Sequence, residues 1–275
     1  MNAAEHRTFL TIATEAARQG GDLLMDYFGK LSQIKVKSAT GDLVTEADVA
    51  SEQAILKHLQ QALPDHSILA EESGQHLNTS DSKYLWAIDP LDGTLNYAHG
   101  LPFFCVSIGL LVEGIPRLGV VYAPHLRQLY TGLSSETQSE AFCNGEPLQV
   151  SQAHELQHSL LATGFPYRRS TLKDNNYAEF LYFADRTQDI RRPGSAALDL
   201  CFVAAGAYDG YWEQHLNPWD LVAGAAIVKG AGGQVSAYNG ASFDPHSGAI
   251  VASNGVLHPA LVQGLAEARQ SLNSL

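Results

Sequence analysis

Apolar and polar positions recur along the chain with two different periods, and these periods predict its first elements. Residues 3–28 and 49–63 carry apolar side chains near the spacing of an amphipathic helix, and Pro64 follows the second segment, where a helix would end. Shorter apolar runs in QIKVKS (33–38), SILAEES (67–73) and YLWAID (84–89) predict strands. The last two of these runs end in or beside acidic residues.

The remaining pattern changes near residue 150. From residue 104 to 132, three strand-like runs are interrupted by EG (113–114) and APH (123–125), which predicts an antiparallel meander. After residue 150, strand-like and helix-like segments alternate, as in an α/β protein. Strands are predicted at 159–164, 208–214, 234–239 and 249–254, and helices at 174–186, 194–206, 218–233 and 257–272. We therefore expect one intimate α/β (α+β) unit with two halves, residues 1–150 and 151–275.

Composition and charge narrow the class of protein. Hydrophobic residues make up 45% of the chain and charged residues 17%, which is typical of a globular protein and excludes intrinsic disorder. The formal net charge of −12 argues against a nucleic-acid-binding protein, which needs a basic face. An anionic substrate remains compatible with this charge, because a bound metal ion can invert the local sign of a site.

Cysteine usage and the terminal sequence indicate the compartment. The three cysteines lie far apart without a CxxC motif, which argues against a disulfide framework or a zinc site. The N-terminal segment has no basic stretch followed by an apolar one, and the longest apolar run, at 101–112, is too short to span a membrane. We expect a soluble, cytoplasmic protein that has no contact with a membrane.

Acidic side chains occur where predicted strands and helices meet. They are Asp48, Glu71, Glu72, Asp89, Asp92 and Asp220. Histidine and cysteine do not accompany them at metal-binding spacing, and oxygen ligands favour hard cations, Mg²⁺ above all. Two carboxylates about 4 Å apart repel each other by about 4 kcal/mol at an effective dielectric constant of about 20, so converging acids need a cation. The sequence therefore predicts a magnesium site.

The segment DPLDGT (89–94) has the composition of a metal and phosphate site. Pro90 restricts the backbone of the turn, so that Asp89 and Asp92 can converge and the carbonyl group of Leu91 can turn inward. Gly93 allows the backbone to approach a ligand closely. A helix that begins at this point would direct its first N–H groups toward an anion such as phosphate.

Five ordered segments of the chain resemble the motifs of the inositol monophosphatase family. They are GDLVTEAD (41–48), AEES (70–73), WAIDPLDGTLNYAHGLPFFCVSIGL (86–110), RRPGSAALDLCFVAAGAYDGYWEQ (191–214) and NPWDLVAGAAIVKGAGG (217–233). The resemblance implies a layered αβαβα sandwich of the inositol monophosphatase and fructose-1,6-bisphosphatase type. It also implies Mg²⁺-dependent hydrolysis of phosphate monoesters, sensitivity to lithium, and a homodimer.

The resemblance implies two principal metal positions. Glu71, Asp89 and the carbonyl oxygen of Leu91 match the first position, and Asp89, Asp92 and Asp220 match the second, so that Asp89 bridges them. Glu71 also matches a ligand, through water, of a third and weaker metal ion. Two or three Mg²⁺ ions would therefore serve one site.

Further residues match the groups that act on water and substrate. Thr94 and Asp48 match the pair that orients the attacking water, with Glu71 beside them. The residues that match contacts to the phosphate and to the alcohol part of the substrate are Asp92, Gly93, Thr94, Leu95, Gly194, Ser195, Ala196, Glu213 and Asp220. The chain departs from the family pattern at Gly230, where glutamate is common, and we expect only a change of packing there. Arg191, just before the loop that would hold the substrate, is a candidate contact to substrate or to a second subunit.

Several phosphate esters are compatible with this chemistry as substrates. A carboxylate at Glu213 suits the vicinal hydroxyl groups of inositol 1-phosphate, a small phosphorylated polyol, and would repel a second phosphate. Histidinol phosphate, fructose 1,6-bisphosphate and 3′-phosphoadenosine 5′-phosphate are the alternatives. A regulatory binding protein that retains the fold and the site is an alternative of another class.

Overall fold

The computed structural model describes residues 3–37, 42–76, 82–135 and 138–272. In these residues, helices and two large sheets stack in five layers in the order α, β, α, β, α. The layered αβαβα sandwich implied by the resemblance is therefore confirmed.

The first two layers come from the N-terminal part of the chain. Helices α1 (Ala3–Tyr27) and α2 (Glu46–Ala62) pack against each other and against the first sheet. The strands of that sheet are β3 (Ser67–Ala70), β4 (Gly74–His76), β5 (Tyr84–Asp92), β6 (Cys105–Val112), β7 (Ile115–Ala123), β8 (Gln128–Ser134), β9 (Ser139–Cys143) and β10 (Glu146–Pro147). Within the described residues their order is β10-β9-β8-β7-β6-β5-β3-β4. Strands β5 and β6 are buried on both faces, because helices cover the sheet from both sides.

The third layer is a pair of central helices, α5 (Ala196–Ala204) and α6 (Pro218–Gly230). Helix α6 lies on the face of the first sheet opposite α1 and α2, and α5 packs against α6 and against the second sheet. Most residues of both helices are buried, which agrees with their largely apolar sequences.

The second sheet and the last pair of helices complete the sandwich. The strands are β11 (Leu160–Thr163), β12 (Asp189–Arg191), β13 (Gly210–Gln214), β14 (Gln234–Ser236) and β15 (Ala249–Ser253), in the order β12-β11-β13-β15-β14. Helices α4 (Tyr177–Ala184) and α7 (His258–Leu272) form the outer layer. A small hairpin, β1 (Ile34–Val36) and β2 (Leu43–Thr45), and the short helix α3 (Thr94–Ala98) lie outside these layers.

Most predicted elements occur in the structure within a few residues of their predicted bounds. The meander is confirmed, since β6, β7 and β8 pair antiparallel. Helix α2 begins at Glu46, before the predicted start, so that Asp48 lies in its first turn. Strands β2, β4, β9, β10 and β12 were not predicted, because none of these segments has a clear alternation of apolar and polar residues. Ser38, at the end of a predicted strand, and Gly41, in a family motif, lie outside the described residues.

Along the sequence, the chain passes from the first sheet to the second near the predicted boundary of the halves. The first sheet ends at Pro147 and the second begins at Leu160, but α6 from the second half covers the first sheet. The division into halves at residue 150 stays a prediction. Among the described helices, none is both long and apolar enough to cross a membrane.

Candidate active site

The last residues of β5 include the two central aspartates. The pairing of β5 with β6 is irregular between Asp89 and Asp92, and the Oδ1 atom of Asp89 accepts a hydrogen bond of 2.9 Å from the N–H of Leu91. Gly93 follows with φ of +92°, in the left-handed region, and a Cβ atom there would lie 2.8 Å from the carbonyl oxygen of Phe103. Only glycine suits this position, at which the strand turns into α3.

Helix α2 holds Asp48 through its first turn. Thr45 is the N-cap, and Asp48 accepts hydrogen bonds from both the N–H (2.8 Å) and the hydroxyl group (2.5 Å) of Thr45 in a capping box. The other carboxylate oxygen of Asp48 lies 3.1 Å from the hydroxyl oxygen of Thr94, which is also 2.9 Å from the carbonyl oxygen of Leu91. Asp48 is completely buried, and this burial raises its pKa to about 6 despite the hydrogen bonds from Thr45. The predicted pair of Thr94 and Asp48 is therefore in direct contact.

Glu71 reaches the same place from the neighbouring strand. Strands β3 and β5 are parallel, and the N–H of Glu71 donates to the carbonyl oxygen of Ile88, one residue before Asp89. Lys37, which sequence reasoning missed, makes ion pairs of 2.9 Å with Glu71 and 2.5 Å with Glu72. Burial raises the pKa of Glu72 to about 7. The signal for Lys37 was weak, because a lysine in a half-exposed strand is usually a solvated one.

Asp92 on β5 and Asp220 on α6 both line the cleft. Asp92 accepts hydrogen bonds of 2.7 Å from the hydroxyl group of Ser195 and from the N–H of Ala197, at the start of α5. Asp220 lies in the first turn of α6 and accepts a hydrogen bond of 2.7 Å from the N–H of Asn217. Burial and the neighbouring carboxylates raise the pKa of Asp220 well above its ordinary value, and burial raises that of Asp92 to about 6.

One cleft of about 470 Å³ joins these groups. Among the predicted residues, those that line it are Glu71, Asp89, Leu91, Asp92, Gly93, Thr94, Gly194, Ala196, Glu213 and Asp220. Asp48 and Ser195 are buried behind this lining, in contact with Thr94 and Asp92 respectively. Leu95 is in α3 and does not line the cleft.

The structure places Arg191 outside the lining of this cleft, so its position does not support a contact to substrate, and a contact to a second subunit stays a prediction. Arg191 is the exposed last residue of β12 and pairs with Asp189. Successive side chains of an extended segment point to opposite sides, so the next residue, Arg192, lines the cleft instead. The segment Gly164–Arg168, with Phe165, Pro166 and Tyr167, also lines it and was not predicted as part of the site.

The donor set fits a hard divalent cation. Burial raises the pKa of Asp89 well above its ordinary value, and so do Glu71, Asp92 and Asp220. These four carboxylates repel one another across a single cleft, which a divalent cation would relieve. As they stand, however, no three acidic, histidine or cysteine side chains of the described residues are grouped closely enough to hold a metal ion. Lys37 forms an ion pair with Glu71, and one carboxylate oxygen of Asp92 is hydrogen-bonded to the start of α5.

Similarities to known proteins agree with this site. The model of the inositol monophosphatase family matches residues 5–273. An inositol-1-monophosphatase of Synechocystis is 50% identical over 264 residues, which cover 96% of this chain and 91% of that protein. A Nus factor SuhB of Pasteurella multocida is 41% identical over 245 residues, covering 89% of this chain and 90% of that protein.

Solved structures give the same answer for the fold. The structure of an inositol monophosphatase from Anabaena (Nostoc) matches with a TM-score of 0.85 and 48% identity, over 95% of this chain and 96% of that chain. The range matched by the family model, residues 5–273, includes every residue that lines the acidic cleft. The chain therefore belongs to the inositol monophosphatase family and is a phosphatase of that family.

Proposed function

We propose that this phosphatase hydrolyses inositol 1-phosphate, or a closely similar polyol monophosphate, in a reaction that requires Mg²⁺. One observation carries the proposal. Four carboxylates, the contact between Thr94 and Asp48, and the carboxylate of Glu213 share a single cleft, so that groups for metal, water and polyol are all within one substrate's reach.

The proposed metal ligands are those that the family resemblance implies, and all of them line the cleft. Glu71, Asp89 and the carbonyl oxygen of Leu91 would hold one Mg²⁺, and Asp89, Asp92 and Asp220 a second, with a third near Glu71. Bound Mg²⁺ polarises phosphoryl oxygens, lowers the pKa of water and stabilises a departing alkoxide.

The residues of the chain orient water and phosphate. When the hydroxyl group of Thr94 donates its proton to Asp48 or to the carbonyl oxygen of Leu91, its lone pairs stay available for the hydrogen of an attacking water. The N–H groups of Gly93, Thr94 and Leu95, at the start of α3, would face the phosphate. Because a water attacks directly, no covalent phosphoenzyme is required.

The alcohol part of the substrate would lie between α5 and β13. Gly194, Ser195 and Ala196 form the start of α5, and Glu213 lies across the cleft from it, where it can accept hydrogen bonds from vicinal hydroxyl groups. Burial raises the pKa of Glu213 to about 7, although a hydrogen bond from Tyr211 opposes this shift.

Two measurements test this function. Phosphate release from inositol 1-phosphate is expected to stop in excess EDTA and to return with Mg²⁺, and full activity in EDTA would refute the metal requirement. In a substrate panel with histidinol phosphate, fructose 1,6-bisphosphate and 3′-phosphoadenosine 5′-phosphate, inositol 1-phosphate is expected to have the highest kcat/KM. Faster turnover of one of the others would refute the substrate while leaving the phosphatase class intact.

A second candidate is a regulatory binding protein that retains this site. The similarity to proteins named Nus factor SuhB supports it. An Asp92→Asn variant separates the two functions in the source cell. A regulatory role is supported if the inactive variant still replaces the native protein, and it is rejected if loss of hydrolysis reproduces the full deletion phenotype.

The remaining family properties are part of the same proposal. They are a homodimer, a cytoplasmic location and inhibition by lithium. Light scattering would measure the mass in solution, fractionation the compartment, and a LiCl titration at fixed Mg²⁺ the inhibition.

A further inference from the structure

The carboxylate of Glu213 occupies the space that a side chain at position 164 would fill. A Cβ atom built on Gly164 would lie 2.0 Å and 2.1 Å from the two carboxylate oxygens of Glu213, and the three nearest atoms all belong to that carboxyl group. The φ angle of Gly164 is not in the left-handed region, so alanine would be compatible with its backbone. Contact with Glu213 is therefore the feature at this position that requires glycine.

Neighbouring strands fix Gly164 and Glu213 beside each other. Strands β11 and β13 are parallel, and Thr163 is in register with Trp212, so that the next residue of each strand forms the contact. The hydroxyl group of Thr163 donates to the carbonyl oxygen of Trp212 at 2.6 Å, which ties the two strand ends together. The carboxylate also accepts a hydrogen bond from the hydroxyl group of Tyr211.

A buried amide group locks this arrangement. The side-chain N–H₂ of Asn176 donates to the hydroxyl oxygen of Thr163 at 2.8 Å and to the carbonyl oxygen of Gly164 at 2.6 Å. Its oxygen accepts a hydrogen bond of 2.7 Å from the indole N–H of Trp212. Asn176 is only 1% exposed, so water does not compete for these bonds. Moving either strand end away from a side chain at position 164 would break these hydrogen bonds.

We propose that Gly164 is a specificity-determining residue, because it leaves the space in which the Glu213 carboxylate is held toward the substrate's hydroxyl groups. This inference rests on the proposed function, in which Glu213 binds the polyol. Gly164 acts through Glu213 and is a positioning residue. The metal-binding acids come from β3, β5 and α6, so a change at position 164 acts on the alcohol side of the cleft.

The test is a double-mutant cycle of Gly164→Ala and Glu213→Ala with two substrates. One is inositol 1-phosphate, and the other is p-nitrophenyl phosphate, whose leaving group has no vicinal hydroxyl groups. The end of a side chain, unlike backbone, can move away from a new methyl group, so Gly164→Ala is expected to fold. Its KM for inositol 1-phosphate should rise about 10- to 100-fold with little change in kcat, as for a lost hydrogen bond to a charged group. The ratio of kcat/KM between inositol 1-phosphate and p-nitrophenyl phosphate should fall by the same factor.

The double variant distinguishes a lost contact between position 164 and Glu213 from a general disturbance of the structure. With Glu213→Ala present, Gly164→Ala should cost less than about 2-fold further, since no carboxylate remains to be displaced. If the single variant is thermally destabilised, the double variant should recover part of the loss in Tm, because the clash is gone. Independent, multiplicative effects of the two changes would overturn the inference, and so would an unchanged substrate ratio in Gly164→Ala.

Failure of the proposed substrate has a different signature. If the wild-type protein hydrolyses p-nitrophenyl phosphate but does not prefer inositol 1-phosphate, the polyol proposal is wrong, and the role of Gly164 in polyol selection is rejected with it. If the wild type prefers inositol 1-phosphate and Gly164→Ala retains that preference, only the role of Gly164 is rejected.

Discussion

Helix α6, which carries Asp220, lies on a row of three glycines, and a methyl group in this row should displace it. Gly109, Gly119 and Gly132 are in register on β6, β7 and β8. A Cβ atom on Gly119 would lie 2.1 Å from the carbonyl oxygen of Ala223, and one on Gly132 would lie 2.5 Å from the Cα atom of Ile227. The absence of side chains lets the helix backbone lie directly on the sheet.

The loss of stability that we expect for Gly119→Ala follows from these distances. Side-chain Cβ contacts below 3.0 Å are essentially never observed, so α6 or β7 must move by about 0.9 Å. Overpacking typically costs about 1–3 kcal/mol, and the upper end applies because the obstacle is backbone in a packed layer. At about 2–4 °C per kcal/mol for a large domain, Tm should fall by roughly 6–12 °C.

Activity should fall together with stability. Ala223 is one helical turn after Asp220, so the displacement reaches the acid, and a misplacement of about 1 Å can cost about 100-fold in rate. We expect kcat for inositol 1-phosphate to fall about 10- to 100-fold, measured by phosphate release at 20 °C, where the variant remains folded. Gly132→Ala is the matched control. Its contact at Ile227 lies a further turn from Asp220, so Tm should fall while kcat changes by less than about 5-fold. Wild-type Tm and kcat in Gly119→Ala would refute the reasoning.

Three further changes probe the positions of the acids and of the strand ends. Asp92→Asn should lower kcat for phosphate release by at least about 100-fold. Its Tm should stay near that of the wild type, because the amide oxygen can accept the same two hydrogen bonds from the start of α5. A normal rate would contradict the assignment of Asp92 as a metal ligand. Thr45→Ala should reduce the free energy of unfolding in urea by about 1–2 kcal/mol, because α2 loses the side chain of its N-cap residue. It should also lower kcat more than it raises KM, because Asp48 loses the hydrogen bond from the Thr45 hydroxyl group. Thr45→Ser keeps the hydroxyl group and should retain both the stability and kcat of the wild type. Asn176→Ala should cost about 1–3 kcal/mol in urea, because it leaves the buried indole N–H of Trp212 without its partner, and an unchanged urea midpoint would contradict that role.

The sequence was informative wherever a residue's role depends on its immediate neighbours. DPLDGT combines strand end, turn and helix start within six residues, so the places of Asp89, Asp92 and Thr94 could be predicted from local rules. The long amphipathic helices could be predicted for the same reason. Several roles remain predictions, but most of their residues line one cleft. Asp48 and Ser195 are buried behind this lining, and Leu95 and Arg191 do not line it.

Features that depend on register between distant segments could not be predicted. The row of Gly109, Gly119 and Gly132 exists only because three strands pair in one register, and each glycine alone reads as an interruption. The choice between Arg191 and Arg192 depends on where β12 ends, and a shift of one residue reverses the direction of a side chain. Lys37 meets Glu71 only through the fold of a separate hairpin.

Two acids of the site, Asp48 and Asp220, are positioned by the same helix-capping motif. In TEAD (45–48) and NPWD (217–220), an N-cap residue is followed three positions later by aspartate. In each case one carboxylate oxygen accepts the N–H of the N-cap residue, at 2.8 Å from Thr45 and 2.7 Å from Asn217. The other oxygen then remains for the site, where that of Asp48 meets Thr94.

Because one carboxylate oxygen is bonded to the helix start and the other faces the site, a flexible side chain becomes a rigid ligand. An aspartate tied to its own helix start has lost most of its rotamer freedom on folding, before any ligand binds. Burying these carboxylates costs free energy, and the same burial raises the pKa of Asp48 and Asp220. The cost is partly offset because each acid lies at the positive end of a helix dipole. Glutamate at either position could still accept the N–H of the N-cap residue, but its longer side chain would place the second oxygen differently. The spacing of cap and acid therefore sets both where each helix begins and where the oxygen that faces the cleft must lie.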